Sequence, residues 1–278
     1  MKRIFDFIRS DKSLYVGFIL IGIIIIFSLI GPLLSPYKYS SQNLSEALQS
    51  PSISHPLGTD YYGRDMLARM MHGGQITLGI ALLATTIAIL IGMITGLISA
   101  FVGGWIDRIL MRLVDIMLGF PRLFIILLVI GMGHSSIGLI ILFLAVFSWM
   151  EIARIVRSEV LVIKEQLYIK SAEAIGLWRR RIISIHILPN VMGTVIVSSV
   201  LLISTLILIE SSISFLGLGV QPPNASWGTI LTEGRIDPIG TWWISVFSGT
   251  FIIAAIIGFN LIGDGLRNIL DPKFTGNS

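Results

Sequence analysis

The chain has 278 residues, of which 54% are hydrophobic and only 13% charged, with a formal net charge of +4 and no cysteine. The lack of cysteine excludes disulfides, thiolate metal sites and cysteine nucleophiles. Apolar residues gather in long uncharged runs, which excludes an ordinary soluble domain and makes lipid the solvent, since a helix needs roughly 20 apolar residues to cross the hydrocarbon core.

In chain order, the first run is Leu14 to Leu34. Lys2, Arg3, Arg9 and Lys12 precede it as in a signal peptide, but the run exceeds an h-region and no small-x-small site closes it, so it reads as a retained anchor. Further runs at Ile76–Val102, Ile116–Gly133, Ile137–Met150, Asn190–Ile209 and Trp242–Gly263 predict an all-α polytopic membrane protein with about six transmembrane helices. The third run carries Pro121 and Arg122, with Asp115 just before it. A central charge costs about 2.5–3.5 kcal/mol against roughly 0.3–0.6 returned per Leu or Ile. Asp115 is therefore expected at the interface, and Arg122 snorkelling or against another helix. Glu151 is expected at the wet end of the fourth run. Glu210 either marks the water boundary of the fifth or is an intramembrane functional carboxylate. Gly92 and Gly96 form a GxxxG, either a close-packing face or a coincidence of composition.

Basic residues set the orientation. With the N-terminus in the cytoplasm, cytoplasmic segments hold Lys2, Arg3, Arg9, Lys12, Arg108, Arg112, Arg154, Arg157, Lys164, Lys170, Arg179, Arg180, Arg181, Arg267 and Lys273. External segments hold only Lys38, Arg64, Arg69 and Arg235. This asymmetry places both termini in the cytoplasm. It also accounts for the positive charge without a nucleic-acid partner, because the basic residues lie between apolar runs. The chain divides into 1–75, a cytoplasmic tail, first helix and external loop, and 76–278, a five-helix core with a cytoplasmic loop at about 151–189.

That loop is too long for a simple connection. Leu167 to Ile175 reads as a short amphipathic helix, Gly176 as its αL end, Trp178 to His186 as a second helix, and Pro189 as the first turn of the next span. A short exposed helix with apolar and basic faces either docks a partner or lies on the membrane.

The segment Ser171-Ala172-Glu173-Ala174-Ile175-Gly176-Leu177, closed by Leu188-Pro189, resembles the cytoplasmic signature loop of ABC importer permeases. Lys170-Ser171-Ala172 stands where that family carries Glu-Ala-Ala. His55-Pro-Leu-Gly-Thr59-Asp60 with Gly63-Arg64-Asp65 is similar to the external motif of the peptide and nickel permease family, with Gln75 in place of a later arginine. Ser214-Phe215-Leu-Gly217-Leu-Gly219, Gln221-Pro-Pro223, Ser226-Trp-Gly228 and Phe259 to Arg267 with Leu270-Asp-Pro272 resemble the same family's C-terminal third. The likeness is to the second of the two permease types.

The resemblance implies a type I ABC importer permease fold in a bacterial cytoplasmic membrane. It implies a second permease as heterodimer partner, two ATPase subunits and an extracytoplasmic substrate-binding protein. Ser171, Ala172, Glu173, Ala174, Gly176, Leu177, Leu188 and Pro189 would couple to the ATPases. Thr59, Asp60, Arg64, Asp65, Phe215, Gly217 and Gly219 would form an external gate or binding-protein contact. Thr59 and Asp60 have a blander reading as caps of a short external helix, with Asp65 near its N-terminal dipole. Di- or oligopeptides are the first expected substrate, with nickel or a metal chelate as the alternative. A self-sufficient secondary transporter is the rival of another class.

No GxxxxGK[ST] string occurs, so the chain is expected to bind no cofactor, with ATP and magnesium on partner subunits. His55, His72, His134 and His186 share no metal-ligand spacing. No carboxylate pair, triad or ligand cluster marks an enzyme.

Overall fold

The computed structural model describes residues 12–132 and 136–270. The expectations placed on Lys2, Arg3, Arg9, His134, Lys273 and Asp271-Pro272 lie outside them. Among the described residues there is no strand, only an isolated bridge between Thr59 and Asp65.

The long helices are α1 (Lys12–Leu34), α2 (Met66–Val102), α5 (Ile137–Val146) leading into α6 (Trp149–Lys164), α9 (Leu188–Phe215) and α11 (Trp242–Leu270). Between them lie α3 (Gly104–Leu118), α4 (Arg122–Gly131), α7 (Leu167–Ala174), α8 (Arg179–Ile182) and α10 (Trp227–Glu233). Among the described residues five spans are long and apolar enough to cross a membrane, and the bent pair α3–α4 makes a sixth if counted as one.

Three boundaries differ from the sequence reading. First, α2 begins ten residues before Ile76 because Asp65 caps it, its side chain accepting from the Ala68 N–H at 2.8 Å. At about 1.5 Å per residue a helix of this length far exceeds the roughly 30 Å hydrocarbon core. It also runs through the boundary set between 75 and 76. Second, the third run is not one straight helix. Pro121 lacks an N–H and forces the preceding residue out of the α region, and α3 and α4 meet at 78°. Third, Glu151 does not end the fourth span. The helix continues to Lys164, so the loop expected from 151 begins only at Glu165.

Helix α2 is the central post, packed against α1, α5, α6, α9 and α10. In lipid, close approach of small residues replaces the hydrophobic drive between helices. The GxxxG is such a face. A Cβ on Gly92 would sit 2.6 Å from Ile152 Cβ, and one on Gly96 would sit 2.6 Å from the Ala153 carbonyl oxygen. Side chains there would push α2 off α6.

Ion pairs tie α3 to α6. Arg157 grips Asp107 as a fork, both N–O distances 2.6 Å, and Arg154 meets Asp115 at 2.6 Å. Lys164 donates to the Ala100 carbonyl at 3.0 Å, near the end of α2. Arg122 faces the neighbouring helix as expected, 3.3 Å from Ser148 and 3.6 Å from Glu151.

Candidate functional site

Two regions hold the residues singled out in the sequence, at opposite ends of the bundle. The first is built on the segment between α1 and α2. Thr59 Oγ1 donates to the Glu46 carbonyl at 2.5 Å and accepts from the Gln49 N–H at 2.8 Å. Its own carbonyl accepts from Trp243 Nε1 at 3.1 Å, which pins the segment to α11. Thr59 and Asp60 therefore do not cap a helix; the cap is Asp65, and the helix is the membrane span α2. Asp65 Oδ1 also lies 2.8 Å from His55 Nδ1, both residues buried.

Asp60 is fully buried and fully bonded. Its Oδ1 accepts from the backbone N–H groups of Tyr62 at 2.8 Å and Arg64 at 3.0 Å. Its Oδ2 accepts from Arg64 Nε at 2.6 Å and from Arg69 Nη1. Across from it, Glu233 at the end of α10 accepts from Arg64 Nη2 at 3.2 Å and from Arg69 Nη2 at 2.8 Å on Oε1, and from Arg69 Nη1 on Oε2. Two guanidiniums thus lie between two carboxylates, one fully buried and one 26% exposed. A single buried charge is costly; this neutral, hydrogen-bonded quartet offsets the cost.

The start of α10 is held separately. Ser226 and Thr229 form a reciprocal capping box. Trp227 is fully buried, its Nε1 donating to the Met70 carbonyl at 2.9 Å and its backbone N–H to Thr77 Oγ1 at 3.1 Å. Helix α10 is therefore strapped to α2 at both ends. A cavity of about 150 Å³ opens beside the quartet, lined by Arg64, Arg69, Glu233, Gly217, Asn224 and Thr232 among others.

Of the expected external residues, Thr59, Asp60, Arg64 and Asp65 come together, and Gly217 reaches the same cavity. Gly219 lies behind it, so close to Ser214 that a Cβ would fall 1.8 Å from the hydroxyl oxygen. Phe215 stands apart, facing Arg235 at 5.4 Å and an apolar groove with Leu208 and Leu216. Arg69 and Glu233 completed the quartet unforeseen. They lie 164 positions apart, and nothing in the sequence pattern links them.

Glu210 is not at a water boundary. It is fully buried, its Oε1 accepting from Ser214 Oγ at 2.7 Å, while Oε2 has no hydrogen-bond partner among the described residues. Hydroxyls of Thr77, Ser211 and Ser226 surround it.

The second region is α7 and the turn after it. Helix α7 ends in a Schellman motif: the Leu177 N–H bonds the Ala172 carbonyl at 3.1 Å, and the Gly176 N–H bonds the Glu173 carbonyl at 3.0 Å. Gly176 has φ +77°, the left-handed region that a side chain disfavours. Ala172 and Ile169 face inward, whereas Ser171, Glu173, Ala174 and Gly176 are exposed. Leu177 and Leu188 are half-buried, and Pro189 sits in the first turn of α9. The tip presents large apolar side chains to the outside: Leu167 and Trp178 are 82% exposed, and Ile175 78%. Arg179, Arg180 and Arg181 flank them.

Comparison with known proteins adds the following. Residues 88–276 match the family described as the inner membrane component of binding-protein-dependent transport systems. Residues 1–51 match the N-terminal TM domain of oligopeptide transport permease C. The oligopeptide transport system permease protein OppC of Bacillus subtilis is 40% identical over 95% of this chain and 87% of its own. The dipeptide transport system permease protein DppC of Bacillus subtilis is 38% identical over 96% and 83%. The oligopeptide transport system permease protein OppC of Escherichia coli is 36% identical over 95% and 88%.

Proposed function

The chain belongs to the family of binding-protein-dependent transport inner membrane components, and from that premise we propose that it is the second-type permease subunit of an ATP-driven peptide importer. It pairs with another permease to line the path. A substrate-binding protein delivers di- or oligopeptides to the Asp60–Glu233 end. Two ATPase subunits, which carry ATP and magnesium, dock on the α7 tip. The chain itself is not catalytic. It sits in the bacterial cytoplasmic membrane with both termini inside. The relatives described above are named for oligopeptides and dipeptides, which supports peptides over nickel or a metal chelate.

The observation that carries the docking assignment is the α7 tip. Exposed Leu167, Ile175 and Trp178 would be wasteful facing water, and an interface that buries them gains their apolar area. Movement of the ATPases reaches α6 and α9 through α7 and its Schellman turn, because two residues join α7 to α6 and about four join it to α8, which runs on through 183–187 into α9.

Gly176→Val tests this. Space for the new Cβ is open, so the substitution acts through the backbone, where a β-branched residue at this φ costs about 1–3 kcal/mol. The variant should insert and assemble, while peptide-stimulated uptake by the reconstituted complex falls at least severalfold. Uptake at the unaltered rate would refute the role given to this turn. The rival reading has its own test: the purified chain alone, in liposomes with an ion gradient, should move no peptide.

A further inference from the structure

The quartet of Asp60, Arg64, Arg69 and Glu233 is balanced in charge but not in hydrogen bonds. The two guanidiniums donate five bonds, although together they present about ten N–H groups. On the other side, Asp60 accepts four bonds, about the capacity of a carboxylate. Glu233 accepts three. Acceptors are nearly used up while donors remain. Arg64 Nη1 bonds no described residue, and its guanidinium is fixed over the Tyr62 ring at 4.7 Å and by the single Nε bond to Asp60.

Arg64 and Arg69 both line the cavity of about 150 Å³. Its other polar lining includes the amides of Asn224 and Gln221 and the hydroxyls of Thr229 and Thr232. A space this size takes a single terminal residue or side chain, since sites for whole drug-sized ligands run about 300–1,000 Å³. Guanidinium forks match carboxylates in shape as well as charge. Both arginines are almost fully buried and held from behind by Asp60, so they are pre-organised for a guest.

We propose that this cavity is a carboxylate-binding subsite in which Arg64 and Arg69 receive an incoming carboxylate beside, or in exchange for, that of Glu233. Glu233 is the occupant that yields, being the exposed partner, whereas Asp60 is saturated and enclosed. Its release would free the C-terminal end of α10 from α2 while Trp227 still anchors the other end. The carboxylate has two sources under the proposed function: the C-terminus of a peptide, or an acidic side chain of the docked binding protein.

The test uses the complete complex in proteoliposomes with saturating binding protein. Uptake of one tripeptide is compared as free acid and as C-terminal amide, with each form's affinity for the isolated binding protein measured separately. Docking of the empty binding protein is measured in parallel. Variants are Arg64→Lys, which keeps a positive charge but loses the guanidinium's planar donor set, and Glu233→Gln, which removes the competitor. If the source is the peptide, the parent complex prefers the free acid by about tenfold or more, the scale of a charge-assisted hydrogen bond. Arg64→Lys abolishes that preference and Glu233→Gln strengthens it. If the source is the binding protein, acid and amide move alike, and Arg64→Lys weakens docking by a similar factor while Glu233→Gln tightens it. Equal uptake of acid and amide, with docking unchanged in both variants, overturns the proposal. Failure to move any peptide would remove the substrate reading alone; the docking arm, which contains no peptide, would then decide the subsite.

Discussion

The two ends of the molecule solve opposite problems. The Asp60–Glu233 end buries three charges, half-buries a fourth, and closes the set with a residue distant in sequence. The α7 tip exposes large apolar side chains and satisfies its backbone locally, through one Schellman turn. The first is complete within the chain, except for its spare donors. The second is complete only as a fold, since nothing among the described residues covers Leu167, Ile175 and Trp178. Substitutions should therefore damage the chain itself at one end and its associations at the other.

The largest effect is expected at Arg69. Arg69→Met leaves the buried Asp60 carboxylate and Glu233 sharing the one guanidinium of Arg64, and breaking a buried pair from one side costs about 3–5 kcal/mol. Folded yield and the thermal midpoint in detergent should both fall sharply. The double variant Asp60→Asn with Arg69→Met should recover much of the loss, because the penalty lies in the unpaired charge and not in the missing bond. If the single and double variants are equally unstable, the quartet is not the self-contained unit described here.

An intermediate effect belongs to Trp178→Ser. The indole is exposed, so the isolated chain should melt unchanged. An aromatic anchor at an interface is commonly worth about 2 kcal/mol or more, so affinity for the ATPase pair should fall by more than tenfold, read by co-purification at increasing dilution. A loss of stability in the chain alone, with docking intact, would reverse the contrast between the two ends.

What the sequence conveyed follows the same division. Lipid-facing helices were legible because composition marks them directly. Gly176 was legible because a Schellman turn is local, and the helix before it fell at Leu167–Ala174 against an expected Leu167–Ile175. The kink at Pro121 was visible as a proline, yet its 78° bend depends on how α4 packs. Of the two readings of Glu210, the water boundary falls: the apolar run ending there resembles a span ending, whereas helix α9 continues to Phe215 among serines. Arg69 and Glu233 were illegible as a pair because no pattern in one chain links residues so far apart; only α10 folding back onto α2 joins them.

The smallest effect should come from Lys170, which stands where the resembled loop carries a glutamate. Its ammonium lies 2.7 Å from Glu165. The hydrogen bond and then the charge of Lys170 hold the Glu165 carboxyl below its usual range. The sign follows from linkage: a lowered carboxylate value adds stability above the ordinary titration range and loses it as pH falls through the lowered value. Both side chains are well exposed to water, and such pairs contribute little. Lys170→Met should therefore leave the melting profile almost unchanged at neutral pH, and remove only a slight steepening of its decline in acid. Transport should also stay near normal, because docking is assigned to the apolar tip and not to this pair. A severalfold drop in uptake with unchanged stability would show instead that Lys170 itself meets the ATPase, and that the polar side of α7 docks together with its apolar end.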